Sequence, residues 1–409
     1  MAYGCEVTVT TEQNESLGIY QAIKEELEPT PDPAVPLAAP EELKATEELF
    51  LGAQHLEQYR HATYEPADYY EEGLRRDPTD IRLNNGYGLL LLKRGHFEKA
   101  KEHFEKAIEK QTWKNPNPYY GESYFNLGLA LRFLGEDEKA FDAFYKSTWS
   151  METQSGGFYQ LAALSCKKRL YSQALEFIDK SLIYNWHNMN ARTLKAAILR
   201  ALERDTKSFL AESLEIDPLS MGCLYENAKA ENDMDAWVNV MRSPSHNYLE
   251  LSLLYMKAGF YQDAADILEA SPEKTPMTFY YQGFVFTEMQ DNEKAAAAFM
   301  KAEKANPDYC FPNKAEEIVI LQRAVKVLGT APYAHYYLGL LFYDKKQYAA
   351  AAAQWETSVQ EDGTYAMPYR NLAIAYYNKE KDPAKALNVM KKALELDPSY
   401  PRFLQEYDQ

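Results

Sequence analysis

"SYFNLGLALRFLGEDEKAFDAFYKSTWS", residues 123–150, sets small residues at fixed intervals among large apolar ones: Gly128, Gly135, Ala140 and Ser147. Its first half carries Tyr124, Leu127 and Leu131 at helical spacing, and its second half answers with Ala140, Phe144 and Ser147. That is the pattern of two amphipathic helices joined by a short turn. Small residues at the crossing let antiparallel backbones approach to about 8–10 Å, while large ones fill the flanks. Gly135, just past the first helix, suits a left-handed cap.

The same pattern recurs upstream with the same offsets at Gly88, Gly95, Ala100, Phe104 and Ala107. Further copies follow at Ala162, Ala174, Ile178 and Ser181, at Gly283, Ala295, Phe299, Ala302 and Pro307, and at Gly339, Ala351, Trp355 and Ser358. A last copy, Ala373, Ala386, Met390, Ala393 and Pro398, contains one inserted residue. The step from Gly128 to Ala162 equals the step from Gly339 to Ala373. A helix pair repeated at that step, a period of about 34 residues, resembles the tetratricopeptide repeat. One such pair cannot bury its own apolar face, so neighbours must stack. The fold expected is therefore all-α, an α-α superhelix with a concave inner surface, preceded by a short β-hairpin and linker.

Three regions are expected along the chain: 1–40, 41–218 and 219–409. In the first, "CEVTVT" and "LGIYQAI" flank a turn and read as a hairpin, and prolines 29, 31, 33, 36 and 40 make an extended linker. The other two are an N-terminal and a C-terminal array, starting with a degenerate helix pair that ends at Asp77-Pro78. Three irregularities interrupt the period. "KNPNPYYG" adds a proline-punctuated loop before the opening stretch; residues 190–242 are poorly patterned, with a short unit ending at Asp217-Pro218; and "KAEEIVILQRAVKVLG" supplies an additional helix.

The formal net charge of -17 argues against a nucleic-acid or anionic-membrane binder, which needs a dense basic face. Cys5, Cys166, Cys223 and Cys310 are scattered without zinc-binding spacing, so they read as free thiols of a reducing compartment. No apolar run reaches membrane-spanning length and no secretory leader pattern opens the chain, which makes the expected location cytoplasmic. His55 and His61 are six apart and His96 and His103 seven apart, not the four that put two ligands on one helix face. Neither a nucleophile elbow nor a phosphate-binding glycine loop occurs. The expectation is a protein without catalytic residues, metal or cofactor.

Binding is instead assigned to the concave groove. Phe125 and Arg132, Tyr280 and Phe284, Tyr336 and Tyr343, and Arg370 and Tyr377 are expected to point inward from successive first helices. Tyrosines give large amphipathic contact area at low entropic cost, although aromatic rings equally fill cores. Asn126 and Asn371 resemble the asparagine with which many peptide-binding members of the repeat family hold a ligand backbone. Where chaperone-binding members carry their carboxylate clamp, this chain has Phe125 and Leu129, or Tyr336 and Leu340, so that clamp is not expected.

"HLEQYRHAT", "YCFPNKAEEI", "HYYLGLLFYDKKQYAAAAAQWE", "YRNLAIAYYNKEKDPAKAL" and the opening stretch together resemble bacterial proteins in which a mutarotase-like β-sandwich precedes a repeat tail. That resemblance implies a link to carbohydrate metabolism and makes the hairpin similar to the last strands of such a sandwich, the chain then being a piece of a longer protein. The function expected is a non-enzymatic scaffold that binds a protein or peptide in its groove. The alternative is a structural array, a homodimer in its simplest form, that positions a carbohydrate-active domain or partner.

Overall fold

In a computed structural model, residues 6–21, 30, 32–33, 36–59, 63–117 and 119–408 are described; Cys5, Pro29, Pro31 and His61 lie outside them. The chain divides into two compact units, residues 1–43 and 44–409. In the first, β1 (Glu6–Thr10) pairs antiparallel with β2 (Ser16–Gln21), Val7 facing Tyr20 and Thr8 facing Ile19, with an irregularity between Val9 and Thr10. Every strand residue is exposed, which gives this hairpin little apolar burial.

The second unit holds twenty-two α-helices among the described residues. They run as antiparallel pairs: α1 (Thr46–Gln58) with α2 (Pro66–Arg76), α3 (Ile81–Lys93) with α4 (Phe97–Thr112), α5 (Glu122–Phe133) with α6 (Asp137–Ser147), and α7 (Gln154–Lys167) with α8 (Tyr171–Tyr184). Shorter partners follow in α9 (Met189–Ala201) with α10 (Lys207–Ile216), α11 (Met221–Glu231) with α12 (Met234–Met241), and α13 (Ser245–Lys257) with α14 (Tyr261–Ala270). After α15 (Pro276–Glu288) and α16 (Asn292–Lys304) comes an unpaired α17 (Ala315–Leu328), the additional helix read from the sequence. The array ends with α18 (Pro332–Asp344) and α19 (Tyr348–Glu361), α20 (Ala366–Ala375) and α21 (Pro383–Leu396), and a terminal α22 (Pro401–Tyr407).

What fixes each crossing is visible at Gly128, where an added Cβ would stand 2.6 Å from Phe144 of the partner helix. The same glycine-to-ring contact occurs between Gly88 and Phe104, Gly283 and Phe299, and Gly339 and Trp355, always at one and the same sequence offset. Where the small residue is alanine the residue at that offset is aliphatic: Ala162 is answered by Ile178, and Ala373 by Met390 after the single insertion. The two positions thus divide one fixed volume, as close packing requires. Pair α13–α14 obeys the rule with Ser252 and Leu268, both fully buried, and Ser252 donates its hydroxyl to the Leu249 carbonyl at 2.8 Å. Serine at the small position hid this copy in the sequence.

The turns repeat as well. After α5, the Gly135 amide donates to Arg132 O at 3.1 Å and the Glu136 amide to Leu131 O at 2.9 Å, with Gly135 at φ 76°. These bonds satisfy carbonyls left free at the helix end. Arg169, Glu203, Gln290, Lys346 and Lys381 hold the left-handed conformation at corresponding turns despite their side chains. The inserted residue of the last copy is absorbed by one π turn, Tyr376–Glu380, and the register downstream is unchanged.

Packing continues across the boundary expected at residue 218. One continuous hydrophobic core runs from Leu131 to Ala386, so the break in pattern over residues 190–242 is not a break in packing. Buried charge holds that region together. Arg200 on α9 donates to both Glu226 carboxylate oxygens, at 2.8 and 3.0 Å, and to Asp263 at 2.9 Å. Lys229 joins Asp263 at 2.6 Å, and the Tyr255 hydroxyl donates to Glu226 at 2.9 Å. Burial would lower the Arg200 pKa, but Glu226 and Asp263 outweigh it and hold it above its ordinary value.

Candidate functional site

The array curls until distant turns meet. At one contact Gln347 donates to the Arg94 carbonyl at 2.6 Å, and Lys346 pairs with Glu65. A second contact joins α5 to α13, where Arg132 Nη2 donates to the Lys257 carbonyl at 2.6 Å. A third brings Gly259 so close that an added Cβ would stand 2.7 Å from Lys167 Cα. Helix α17 lies against α13 and α15 on this inner side: Glu316 pairs with Lys257, Lys314 with Glu250, and Arg323 with Glu288. The middle of the concave face is therefore occupied by the chain itself.

Of the spaces that remain along it, two have the most apolar walls. The first is a half-open chamber of about 360 Å³ between α5, α7, α13, α14, α15 and α17. Leu129, Phe133, Leu253, Met256, Phe284, Val319 and Ile320 make its walls apolar. Arg132, Gln160, Lys167, Lys257, Tyr261, Glu288 and Glu316 supply polar groups. Lys167 is paired with Asp137 at 2.7 Å, Lys257 with Glu316, and Glu288 accepts from the Tyr261 hydroxyl at 3.2 Å. Arg132 donates to Gln160 and to a main-chain carbonyl, both neutral, and burial lowers its pKa.

The second space is a cleft of about 540 Å³ across α1, α3 and the start of α5. Phe50, Tyr70 and Leu89 line it beside Arg82, Asn85, Lys93 and Ser123. Arg82 sits over the Phe50 ring at 5.1 Å, and the Tyr70 hydroxyl donates to Glu57 at 2.7 Å. Tyr120 closes one end with its ring edge-on to Tyr119 at 5.1 Å, and these two and Trp113, earlier in the same connection, are strongly exposed. Their loop is anchored: Gln111 donates to Tyr120 O at 2.6 Å and Ser150 to Tyr119 O at 2.9 Å.

Family profiles of the tetratricopeptide repeat match residues 79–148, 320–366 and 369–400. The chain carries tetratricopeptide repeats. A protein of Methanocaldococcus jannaschii described as uncharacterized is 42% identical over 59 residues, which is 14% of this chain and 62% of that protein. The chain thus spans less than two thirds of that relative's length. Among solved structures, a tetratricopeptide repeat protein from Parabacteroides merdae is similar at 18% identity, over 69% of this chain and 98% of that one, with a TM-score of 0.40. YrrB, described as a TPR protein with an unusual peptide-binding site, is 17% identical over 57% of this chain and 98% of its own, with a TM-score of 0.24.

Within the tetratricopeptide array the residues assigned to the groove separate. Arg132 and Phe284 do come together, in the chamber. Tyr280 is fully buried and donates to Glu303 at 2.6 Å, so it is a core residue and not a groove residue. Glu303 also accepts the Tyr333 and Ala334 amides at 2.9 and 3.0 Å, placing a carboxylate at the positive end of α18. Tyr336 is likewise buried, edge-on to Tyr365 with ring centres 5.2 Å apart. Phe125 packs edge-on against Phe144, and Tyr343 against Tyr348.

Asn126 is buried and donates to Asn85 at 3.1 Å, while Asn371 is buried with its Nδ2 unpartnered. Arg370 makes a two-bond pair with Glu406 and so clamps α22 over the end of the array. Tyr377 is exposed. Phe125 and Tyr343 pack on the second helix of their own repeat, and Tyr280 and Tyr336 also reach the next repeat, which is why aromatic spacing alone overcounted the groove. The chamber residues of α13, α14 and α17 were missed because Ser252 masked one repeat and α17 has no partner in the period. For Phe50 and Tyr70 the degenerate first pair gave no alignment to read from.

Cys166, Cys223 and Cys310 are buried free thiols, and burial pushes the Cys166 thiol up to about 12. Among the described residues no His, Cys, Asp and Glu side chains cluster as a metal site would require, and no helix is long and apolar enough to cross a membrane.

Proposed function

We propose that the protein is a scaffold that binds a partner protein through the N-terminal cleft, taking an extended segment between α1, α3 and α5. The observation that carries this reading is the continuity of a half-apolar cleft with exposed aromatic residues at Tyr120, Tyr119 and Trp113. Rings that are both exposed and held in place lose little entropy on binding and commonly dominate interface energies. Arg82, Asn85 and Ser123 offer side-chain hydrogen bonds along the same wall. With the middle of the concave face filled by α17, a segment threaded along the whole groove fits less well than one held at this end. The resemblance to sandwich-plus-repeat proteins makes a carbohydrate-active β-sandwich domain a partner worth presenting to this cleft.

Peptide-display selection on the full chain tests the reading. Enriched peptides should lose at least about tenfold in affinity on Leu89→Arg, which puts a charge into the cleft, and measurably on Tyr120→Ser, an exposed position that leaves the fold intact. Peptides that bind both variants as well as the parent would overturn it.

A further inference from the structure

The chamber at the closure of the array is a separate matter from the cleft. Of the charged groups in its wall, Lys167, Lys257, Glu288 and Glu316 each have an oppositely charged partner among the described residues. Arg132 has none within ion-pair distance; its two bonds go to Gln160 and the Lys257 carbonyl. A guanidinium has five donors and these bonds use two of them, while Arg132 itself lines the chamber. The surrounding surface comes largely from side chains such as Leu129, Phe284, Val319 and Ile320. A volume of about 360 Å³ falls within the range usual for small-molecule sites, roughly 300–1,000 Å³.

We infer that this chamber binds a small amphipathic monocarboxylate, an acyl chain of medium length, with its carboxylate on Arg132 and its tail among the apolar walls. Charge complementarity selects the head group. A planar guanidinium matches a carboxylate through two parallel hydrogen bonds. A multiply charged anion would find one unpaired cation and two carboxylates, Glu288 and Glu316, in the same wall. The tail is selected by the walls, since each buried methylene contributes about 0.8 kcal/mol.

The occupant would touch α5, α7, α13 and α17 at once, so it would also brace the contact between distant repeats. Binding to the folded form alone raises thermal stability by mass action.

Calorimetric titration of the full chain with octanoate, octanol and octylamine tests the assignment, with melting followed in parallel. Octanoate should bind about tenfold or more tighter than octanol, the size of a charge-assisted pairing, and octylamine more weakly still. In Arg132→Gln the preference for octanoate over octanol should vanish while octanol binding persists, an outcome that loss of a purely structural arginine does not produce. Val319→Trp fills the half-buried wall without touching the charge and should abolish binding of both, which keeps the test open should Arg132→Gln fail to fold. Equal binding of octanoate and octanol by the parent, absence of octanoate binding, or retained binding in Val319→Trp would overturn the inference. If enriched peptides from the cleft lose affinity in Val319→Trp but octanoate does not, the chamber serves the partner and the inference also fails.

Discussion

Helices α3–α8 and helices α9–α14 solve one packing problem with different chemistry. In the first set a glycine or alanine admits a facing side chain of matching volume: Gly88 with Phe104, Gly128 with Phe144, Ala162 with Ile178. In the second, Ser252 and Leu268 keep the volume match at one crossing, but beside it Arg200, Glu226, Lys229 and Asp263 form a hydrogen-bonded charge cluster. The lesson lies in tolerance to change. Volume matching can be altered if both partners move together, whereas a buried charge left without its counter-charge retains the full cost of its desolvation.

The largest expected effect is therefore in the second region. Arg200→Met should cost about 3–5 kcal/mol, because Glu226 and Asp263 remain buried with fewer partners. Urea denaturation measures this, and a loss below about 1 kcal/mol would mean that Lys229 and Tyr255 suffice. In the first region Gly128→Ala should cost about 1–3 kcal/mol by overpacking against Phe144, although alanine is the better helix former. Adding Phe144→Ile recreates the Ala162–Ile178 combination and should recover much of that loss. A double-mutant cycle reads the coupling, and simple additivity would break the volume-sharing account.

The smallest effect is expected at the closing contact. Lys346→Ala removes a partly exposed pair with Glu65 and should cost about 0.2–1 kcal/mol at neutral pH. Burial raises the Glu65 pKa, yet the Lys346 hydrogen bond and charge, with Arg94, outweigh it and hold the carboxyl below its ordinary 4.5. A lowered folded-state pKa stabilises above the unfolded value and the contribution fades as pH falls through the folded one. The difference between parent and Lys346→Ala should accordingly shrink as the pH drops below about 4.5, and a difference that grows with acid would contradict the assignment.

Much of the fold was legible because local pattern and tertiary packing coincide in the regular repeats. Gly128 and Gly135 report on their own helix pair, and the neighbour one period on repeats the message. The hairpin and α17 could be read for the same reason, as segments whose pattern differs from the period. Between α9 and α14 that coincidence fails: charge replaces apolar periodicity, and Ser252 stands where glycine would have marked the repeat. The candidate sites were less legible still, since Arg132 meets Lys257 across 125 residues and Gln347 meets Arg94 across 253. Nothing in either residue's vicinity along the chain encodes such a meeting. Tyr280 and Tyr336 show the converse, aromatic residues whose spacing suited a groove and whose depth put them in the core.

A stack whose first and last thirds touch is no longer one-dimensional in its energetics. In an open ladder of repeats, fraying at one end is local, because each rung answers only to its neighbours. The clasp between Gln347 and Arg94 ties rungs far apart in sequence, so loosening α18–α19 also releases α3. Long chain loops must close before that clasp forms, which places it late in folding. Melting should then be sharper than for an unclasped array of the same length, with both ends of the stack surrendering together.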